Sequence, residues 1–444
     1  MRRVFILALL LGGVQLVLPL GQRGYGGQWL LMFGFLILAA DTVGGLSAAA
    51  RLPRIAGYLV AGALFGPSVL GTVSTEALEQ LAPVSSLAIA LIAFLAGAEL
   101  RWNELREHGV TILKILGVEL SVTLVAITAL LFALRDVVPF LSGAALPTAI
   151  VLSLLFASVA VVHSPAVTMA LLTETGARGP VARTTLGVVL ISDVAVILLF
   201  SGVLALVRAV APANAAGEGV SAAMLIWEIS GALVVGAALG GVVAAYLRFV
   251  RRELFLFAMI VAFFGAEIAR LTHVETLLTL LTAGFVAENV SEPHAGEAFR
   301  TAMERSAAPV FVVFFALAGA SMALADLSAL WMLVIPIVLV RLLAIWGGTW
   351  LGARWGRASR VERNYVWLGL VSQAGVAIGL VTIVAQAYPE RGEQIKTLFL
   401  AVMTVNQILG PVLFRFALDR GGEISDASEE ATPAAVGSGE QRPA

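Results

Sequence analysis

Residues 181–207 read VARTTLGVVLISDVAVILLFSGVLALV. A bilayer is crossed by about 20 predominantly apolar residues in a helix, and this run is long enough. Near its centre stands an aspartate, Asp193, preceded by Val188-Val-Leu-Ile191, with Ser192 beside it, and followed by Val194-Ala-Val-Ile197. No Lys or Arg lies within a helical turn to neutralise it. An ionisable group at membrane depth is costly and marks function, so the rest of the chain is read for what surrounds this carboxylate.

The 444 residues are 59% hydrophobic and 13% charged, with mean hydropathy +0.96. Soluble domains average roughly 45–50% apolar and about 25% charged residues. The chain is therefore an all-α polytopic membrane protein, which excludes a soluble enzyme, a nucleic-acid reader and a disordered scaffold. Strand alternation of the barrel kind is absent. Net charge is −1, so neither an acidic nor a basic partner is implied. With 0 Cys, disulfides and thiolate chemistry are excluded. The four His, at 108, 163, 273 and 294, lack metal-ligand spacing. No cofactor is implied.

Apolar runs predict fourteen spans: 4–20, 28–50, 54–70, 80–99, 109–134, 145–173, 181–207, 222–247, 254–269, 274–288, 307–324, 328–350, 364–388 and 397–418. The first follows Met1-Arg-Arg and reads either as an extra helix or as a signal-like segment that is removed, leaving thirteen. The tail, 419–444, is rich in Gly, Ser, Glu and Pro beyond 421 and is expected to be disordered. With a cytoplasmic N-terminus, 19 of the 28 basic residues fall in cytoplasmic segments and 6 in outer loops. The positive-inside rule thus places both termini in the cytoplasm.

A repeat is legible. Residues 59–66 read LVAGALFG and residues 281–288 LTAGFVAE; residues 92–100 read IAFLAGAEL and residues 314–322 FFALAGASM. Gly62 and Gly97 are 35 residues apart, as are Gly284 and Gly319, and the two sets are offset by 222. By the span order the two copies are inverted, the arrangement of secondary transporters that bind their ion near the midplane on broken helices. Two breaks are expected. Val161-Val-His-Ser-Pro-Ala-Val167 contains Pro165, which removes a backbone donor and frees carbonyls that, with the Ser164 hydroxyl, suit a hard monovalent ion. Gly369, Gly375 and Gly379 surround Ser372-Gln-Ala-Gly375 in span 364–388.

The remaining ionisable residues inside spans are Asp41, Lys114, Glu119, His163, Glu228, Glu267 and Arg341. A lone buried guanidinium is prohibitive, so Arg341 must find an anion. Lys114 is placed to snorkel from an inner end, and Glu228 lies near an outer one. Asp41 and Glu267 are expected to pair or line a funnel.

The stretch from Arg51 to Gly71, RLPRIAGYLVAGALFGPSVLG, resembles the first well-matched helix of the monovalent cation:proton antiporters, in the branch holding bacterial sodium/proton antiporters and potassium-efflux systems. Residues 94–101, FLAGAELR, resemble its next helix; 164–167, SPAV, its broken helix; 187–194, GVVLISDV, its ion-binding helix; and 369–377, GLVSQAGVA, its second broken helix. The resemblance covers roughly 28–418. It implies an inverted-repeat sodium/proton-antiporter fold with two discontinuous crossing helices. Core transport helices fall at about 109–207 and 328–418, dimerisation helices at about 28–99 and 254–324, and a linker helix at about 222–247.

The resemblance also implies a homodimer in the cytoplasmic membrane that exchanges Na⁺, or K⁺, for H⁺ by elevator-like alternating access. The cation and the proton compete for Asp193, with Ser192, Ser164, His163 and Gln373 around it and Pro165 and Gly375 breaking the helices. Three departures matter. Electrogenic members carry two adjacent aspartates, whereas here the first is Ser192. His163 stands where Ser or Thr is usual. Arg341 falls at the basic residue whose partner aspartate is missing. Glu119 is expected to be its partner instead, because the resemblance assigns its helix to the transport core. One carboxylate gives one cation per proton, hence electroneutral exchange. Two alternatives stay open: an organic-anion carrier of the same superfamily, which needs a neutral or cationic pocket, and an ungated potassium-efflux pathway.

Overall fold

A computed structural model of the chain describes residues 28–210, 222–250, 252–373 and 376–424. The expected helix 4–20, Gly375 and the tail from 425 lie outside the described residues. Among the described residues, the regular secondary structure is all helical. The helices are α1 (Gln28–Ala49), α2 (Arg54–Phe65), α3 (Thr75–Gln80), α4 (Ala82–Ala98), α5 (Trp102–Ala133), α6 (Leu146–Ala160), α7 (Pro165–Thr175) and α8 (Pro180–Val210). They continue as α9 (Ala222–Phe249), α10 (Leu254–Thr272), α11 (Thr276–Val290), α12 (Pro293–Ala320), α13 (Leu324–Trp355), α14 (Arg360–Gly369), α15 (Val376–Ala387) and α16 (Pro389–Arg420).

Among the described residues, seven helical stretches are long and apolar enough to cross a membrane, and five shorter apolar helices accompany them. α5 and α13 have 32 residues each. At 1.5 Å per residue each is about 48 Å long, more than the ~30 Å hydrocarbon thickness that a span must cross. Two elements begin well before their apolar runs. α12 starts at Pro293 and α16 at Pro389, each with proline in the first turn, where its missing N–H costs nothing.

The repeat spacing of 222 recurs at helix ends as far as α5 and α13, and the two broken helices depart from it. α5 and α13 start at Trp102 and Leu324 and end at Ala133 and Trp355; α2 and α11 start at Arg54 and Thr276; α4 and α12 end at Ala98 and Ala320. The contacts obey the same relation. α2 crosses α12 where a β-carbon added to Gly62 would strike the Ala316 carbonyl, and one added to Gly319 would strike that of Leu59. α4 crosses α11 where a β-carbon on Gly97 would strike the Leu281 carbonyl, and one on Gly284 that of Phe94. The pair Gly62–Gly319, moved by one repeat in opposite directions, becomes Gly284–Gly97. These four glycines bring backbone against backbone, as small residues do between membrane helices. α5 packs along α13 in the same manner, with Gly348 facing the Glu119 backbone.

Span 145–173 is not one helix. α6 stops at Ala160, residues 161–164 are non-helical, and Ser164 caps α7, its Oγ accepting from the Val167 amide at 3.3 Å. α7 then ends on Gly176 in the left-handed region, φ 64°. Span 364–388 divides in the same way into α14 and α15. α14 opens with a capping box in which Ser359 and Glu362 exchange side-chain and backbone hydrogen bonds. At its other end the tail differs from expectation. Residues 419–424 are ordered, because α16 runs through Arg420 and Glu423 hydrogen-bonds to α8.

Candidate ion-binding site

Asp193 lies near the middle of α8, level with the start of α7. Its Oδ1 is enclosed and has no hydrogen-bond partner. It borders a cavity of about 30 Å³ that is also lined by Ser164, Pro165 and Ala166 from the break, by Ile89, Ile92, Ala93 and Ala96 of α4, and by Leu190, Leu277, Leu281, Phe314 and Val376. About 10–15 Å³ of such space holds one water, so the cavity admits a water or two, or a small ion stripped of most of its shell. Among the described residues, no basic side chain lines it. Three lining residues, Ile89, Leu277 and Val376, also line a larger vestibule of about 370 Å³ toward the C-terminal end of α8. Two carboxylates stand there, Glu228 and Glu275. Glu275 caps α11 by accepting from the Leu278 amide.

Of the residues expected around the ion, the structure brings Asp193, Ser164 and Pro165 together at the cavity. Ser192 points elsewhere: its hydroxyl donates to the Val189 carbonyl at 2.7 Å within its own helix. Gln373 is engaged at both its nitrogen and its oxygen. Its Nε2 donates to the Ala160 carbonyl at 2.8 Å, and its Oε1 accepts from Asn406 Nδ2 at 2.8 Å. His163 is buried away from the cavity, with Nδ1 at 2.8 Å from the Leu370 carbonyl and Nε2 at 3.1 Å from Glu119 Oε2.

The expected Glu119–Arg341 ion pair does not form. The two residues are 222 positions apart and so occupy equivalent places in the two repeats, on helices that pack together. The fully buried Arg341 nevertheless turns to main-chain oxygens. Nε donates to Ala160 at 2.8 Å, Nη1 to Val371 at 2.7 Å and Nη2 to Val162 at 3.1 Å. These carbonyls sit where α6 and α14 stop. A helix end leaves its last four carbonyls without intrahelical partners and carries roughly half a negative charge. Two such ends meet here, and one guanidinium donates to three oxygens drawn from both. Two carbonyls of the proline break, those of Ala160 and Val162, are thus taken by Arg341 and Gln373.

Glu119 has a different partner. Nδ1 of His163 faces a carbonyl and carries a hydrogen, so a further proton lies between Nε2 and the Glu119 carboxyl. With that proton on either side the pair is neutral overall. Thr123 donates to the other carboxyl oxygen at 2.8 Å.

The peripheral charges settle more simply. Glu267 pairs with Arg270 at 3.0 Å, Asp41 is exposed, and Lys114 lies 5.3 Å over the Trp355 ring. Glu275 and Asn406 were not singled out by sequence. Glu275 is the second residue of the apolar run 274–288, and Asn406 is polar without being ionisable.

A family model of transmembrane sodium/hydrogen exchangers matches residues 34–418. Two structures of the sodium proton antiporter MjNhaP1 from Methanocaldococcus jannaschii share the fold. One, at pH 8, is 17% identical with a TM-score of 0.63 and covers 89% of this chain and 99% of that one. The other, an electron-microscopy map, is 15% identical with a TM-score of 0.68 and covers 90% and 98%. No curated protein matches the chain by sequence.

Proposed function

The chain belongs to the sodium/hydrogen exchanger family, and from that premise we propose that it exchanges a monovalent cation, Na⁺ in preference to K⁺, for H⁺ at Asp193. The observation that carries this reading is the unpartnered Asp193 carboxyl oxygen at a small cavity without basic side chains. Desolvation penalises a bare carboxylate. A proton removes the charge. A cation held by the carboxylate, with the Ser164 hydroxyl beside it, balances the charge. The two therefore compete for one group, either neutral complex crosses, and the bare carboxylate does not. Obligatory exchange follows without a further energy source.

One carboxylate carries one cation or one proton, so the cycle is electroneutral. The Arg341 charge is held by backbone oxygens and takes no part in the count. The broken-helix group, α5–α8 with α13–α16, serves as the moving core. The glycine-crossed helices serve as the static, dimer-forming part of an elevator. The protein works in the cytoplasmic membrane with both termini in the cytoplasm, where the excess of basic residues lies. An organic-anion carrier is disfavoured by a cavity of about 30 Å³ lined by a carboxylate.

The test is exchange in proteoliposomes carrying a pH gradient. Addition of Na⁺ should dissipate the gradient, at a rate unaffected by an imposed membrane potential. Asp193→Asn, which keeps the volume and removes the titrating group, should reduce exchange to background while the protein melts at the wild-type temperature. Exchange retained in that variant would end the single-carboxylate reading. A voltage-dependent rate would require a second charge in the cycle, and an uncoupled current would mark an ungated pathway.

A further inference from the structure

At the C-terminal end of the chain a carboxylate reaches back to the helix that carries Asp193. α16 ends at Arg420. Gly422, with φ 69°, turns the backbone, and Glu423 comes to lie over the first turn of α8. Its Oε1 accepts from the Val181 amide at 2.7 Å and its Oε2 from the Ala182 amide at 2.8 Å. Pro180 has no N–H, so these are the first two donors of the helix, and both are satisfied by one side chain. A negative group here also meets the positive end of the helix dipole. Gly179 is what admits it, since a β-carbon at that position would occupy the place of the Glu423 carboxyl.

Among the described residues, few charges face this contact. Arg183 is on α8 itself. Glu362 on α14 is held by the Thr184 hydroxyl at 2.6 Å. On its own side of the chain are Asp419 and Arg420, the latter lying 5.3 Å over the Phe416 ring. Burial pushes the Glu423 carboxyl up. The two amides and Arg183 pull against that shift, and Glu362 adds to it. Its carboxylate form is accordingly lost nearer neutrality than that of a free glutamate.

We propose that Glu423 is a positioning residue for the exchange described above: its carboxylate fixes the start of α8, ties α8 to the end of α16, and so sets the turnover of the Asp193 site, a control released when that carboxylate takes a proton. The inference rests on the antiport reading for its effect on turnover, and on geometry alone for the cap. Ala182 and Asp193 are 11 residues apart, about 16 Å along the helix. Glu423 therefore acts on the rate and not on the ion contact.

The experiment compares the full chain with Glu423→Gln and Glu423→Ala in proteoliposomes, scanning pH on the face that carries the C-terminus. At pH 8 the maximal rate should be about fivefold lower in both variants, the scale of a lost helix cap, with the cation KM unchanged. The ratio of wild type to Glu423→Gln should fall toward one as pH drops, because protonated Glu and Gln are near-equivalent caps. Amide hydrogen exchange at Val181 and Ala182 should be faster in Glu423→Ala. A pH-independent ratio of one, or a raised KM at unchanged maximal rate, would overturn the positioning role, and unaltered amide exchange would overturn the cap. If wild type shows no cation-driven exchange, it is the antiport reading that fails, and amide exchange still decides the cap.

Discussion

Where α2 crosses α12 and α4 crosses α11, glycines let one backbone rest on another; where α6–α7 meets α14–α15, the contact is made by a guanidinium, an amide and an imidazole. The difference lies in the state of the backbone. At the glycine crossings each helix is intact and its carbonyls are bonded within it, so closeness alone is required and dispersion between packed atoms is the gain. At the second meeting two helices have been cut inside a low-dielectric interior, and every severed carbonyl needs a donor. The first region is vulnerable to added volume, the second to a lost donor.

That contrast breaks most directly at Arg341. Arg341→Gln removes three hydrogen bonds at once: the carbonyls of Val162 and Val371 lose their partner, and that of Ala160 keeps only Gln373. At about 1–3 kcal/mol for each of these two unsatisfied buried groups, the loss should be about 2–6 kcal/mol and appear as a collapse in the yield of folded protein or a large drop in melting temperature. Adding Glu119→Gln should not restore it, because Glu119 is not the partner. A wild-type melting temperature for Arg341→Gln would dismiss the polar stitching as incidental.

A smaller effect is expected at the glycines. Gly97→Ala and Gly284→Ala each force a β-carbon against a carbonyl and should cost about 1–3 kcal/mol, the scale of overpacking. Being twins under the repeat, the two should cost alike. Among folded protein the cation KM should stay at the wild-type value. A change in KM without a change in melting would merge the two regions that the comparison separates.

The smallest effect is set by the neutral pair of His163 and Glu119. Glu119→Gln keeps a donor facing Nε2 and should cost less than about 1 kcal/mol, whereas Glu119→Ala leaves a buried imidazole nitrogen unsatisfied and should cost about 1–3 kcal/mol. Thermal melts of both variants, closed into a cycle with His163→Ala, read the coupling. If Gln proves as damaging as Ala, the pair is held by charge and not by one shared proton.

The two regions were unequally legible in the sequence. The glycine crossings could be read because their requirement is for a residue type at a spacing: 35 residues between glycines, 222 between copies. The first break was legible because proline announces it. Arg341 showed up as a buried charge, yet its partners did not, since a main-chain carbonyl is the same at every residue and no letter marks it as orphaned. His163, in the break between α6 and α7, and Glu119, on α5, are 44 positions apart, and only packing joins them. For the same reason Ser192 and Gln373, plausible as neighbours of Asp193 along the chain, turn out to hydrogen-bond elsewhere.

One feature of the Arg341 contact bears on inheritance. An ion pair between two side chains has a genetic partner: a loss on one side is rescued by a change on the other. Arg341 bonds to backbone oxygens of Ala160, Val162 and Val371, which persist whatever residue stands there. In a saturation screen Arg341 should accordingly appear as an isolated intolerant position flanked by permissive ones. A selection for second-site suppressors of its loss should return revertants at codon 341 and no charge-swapping change elsewhere.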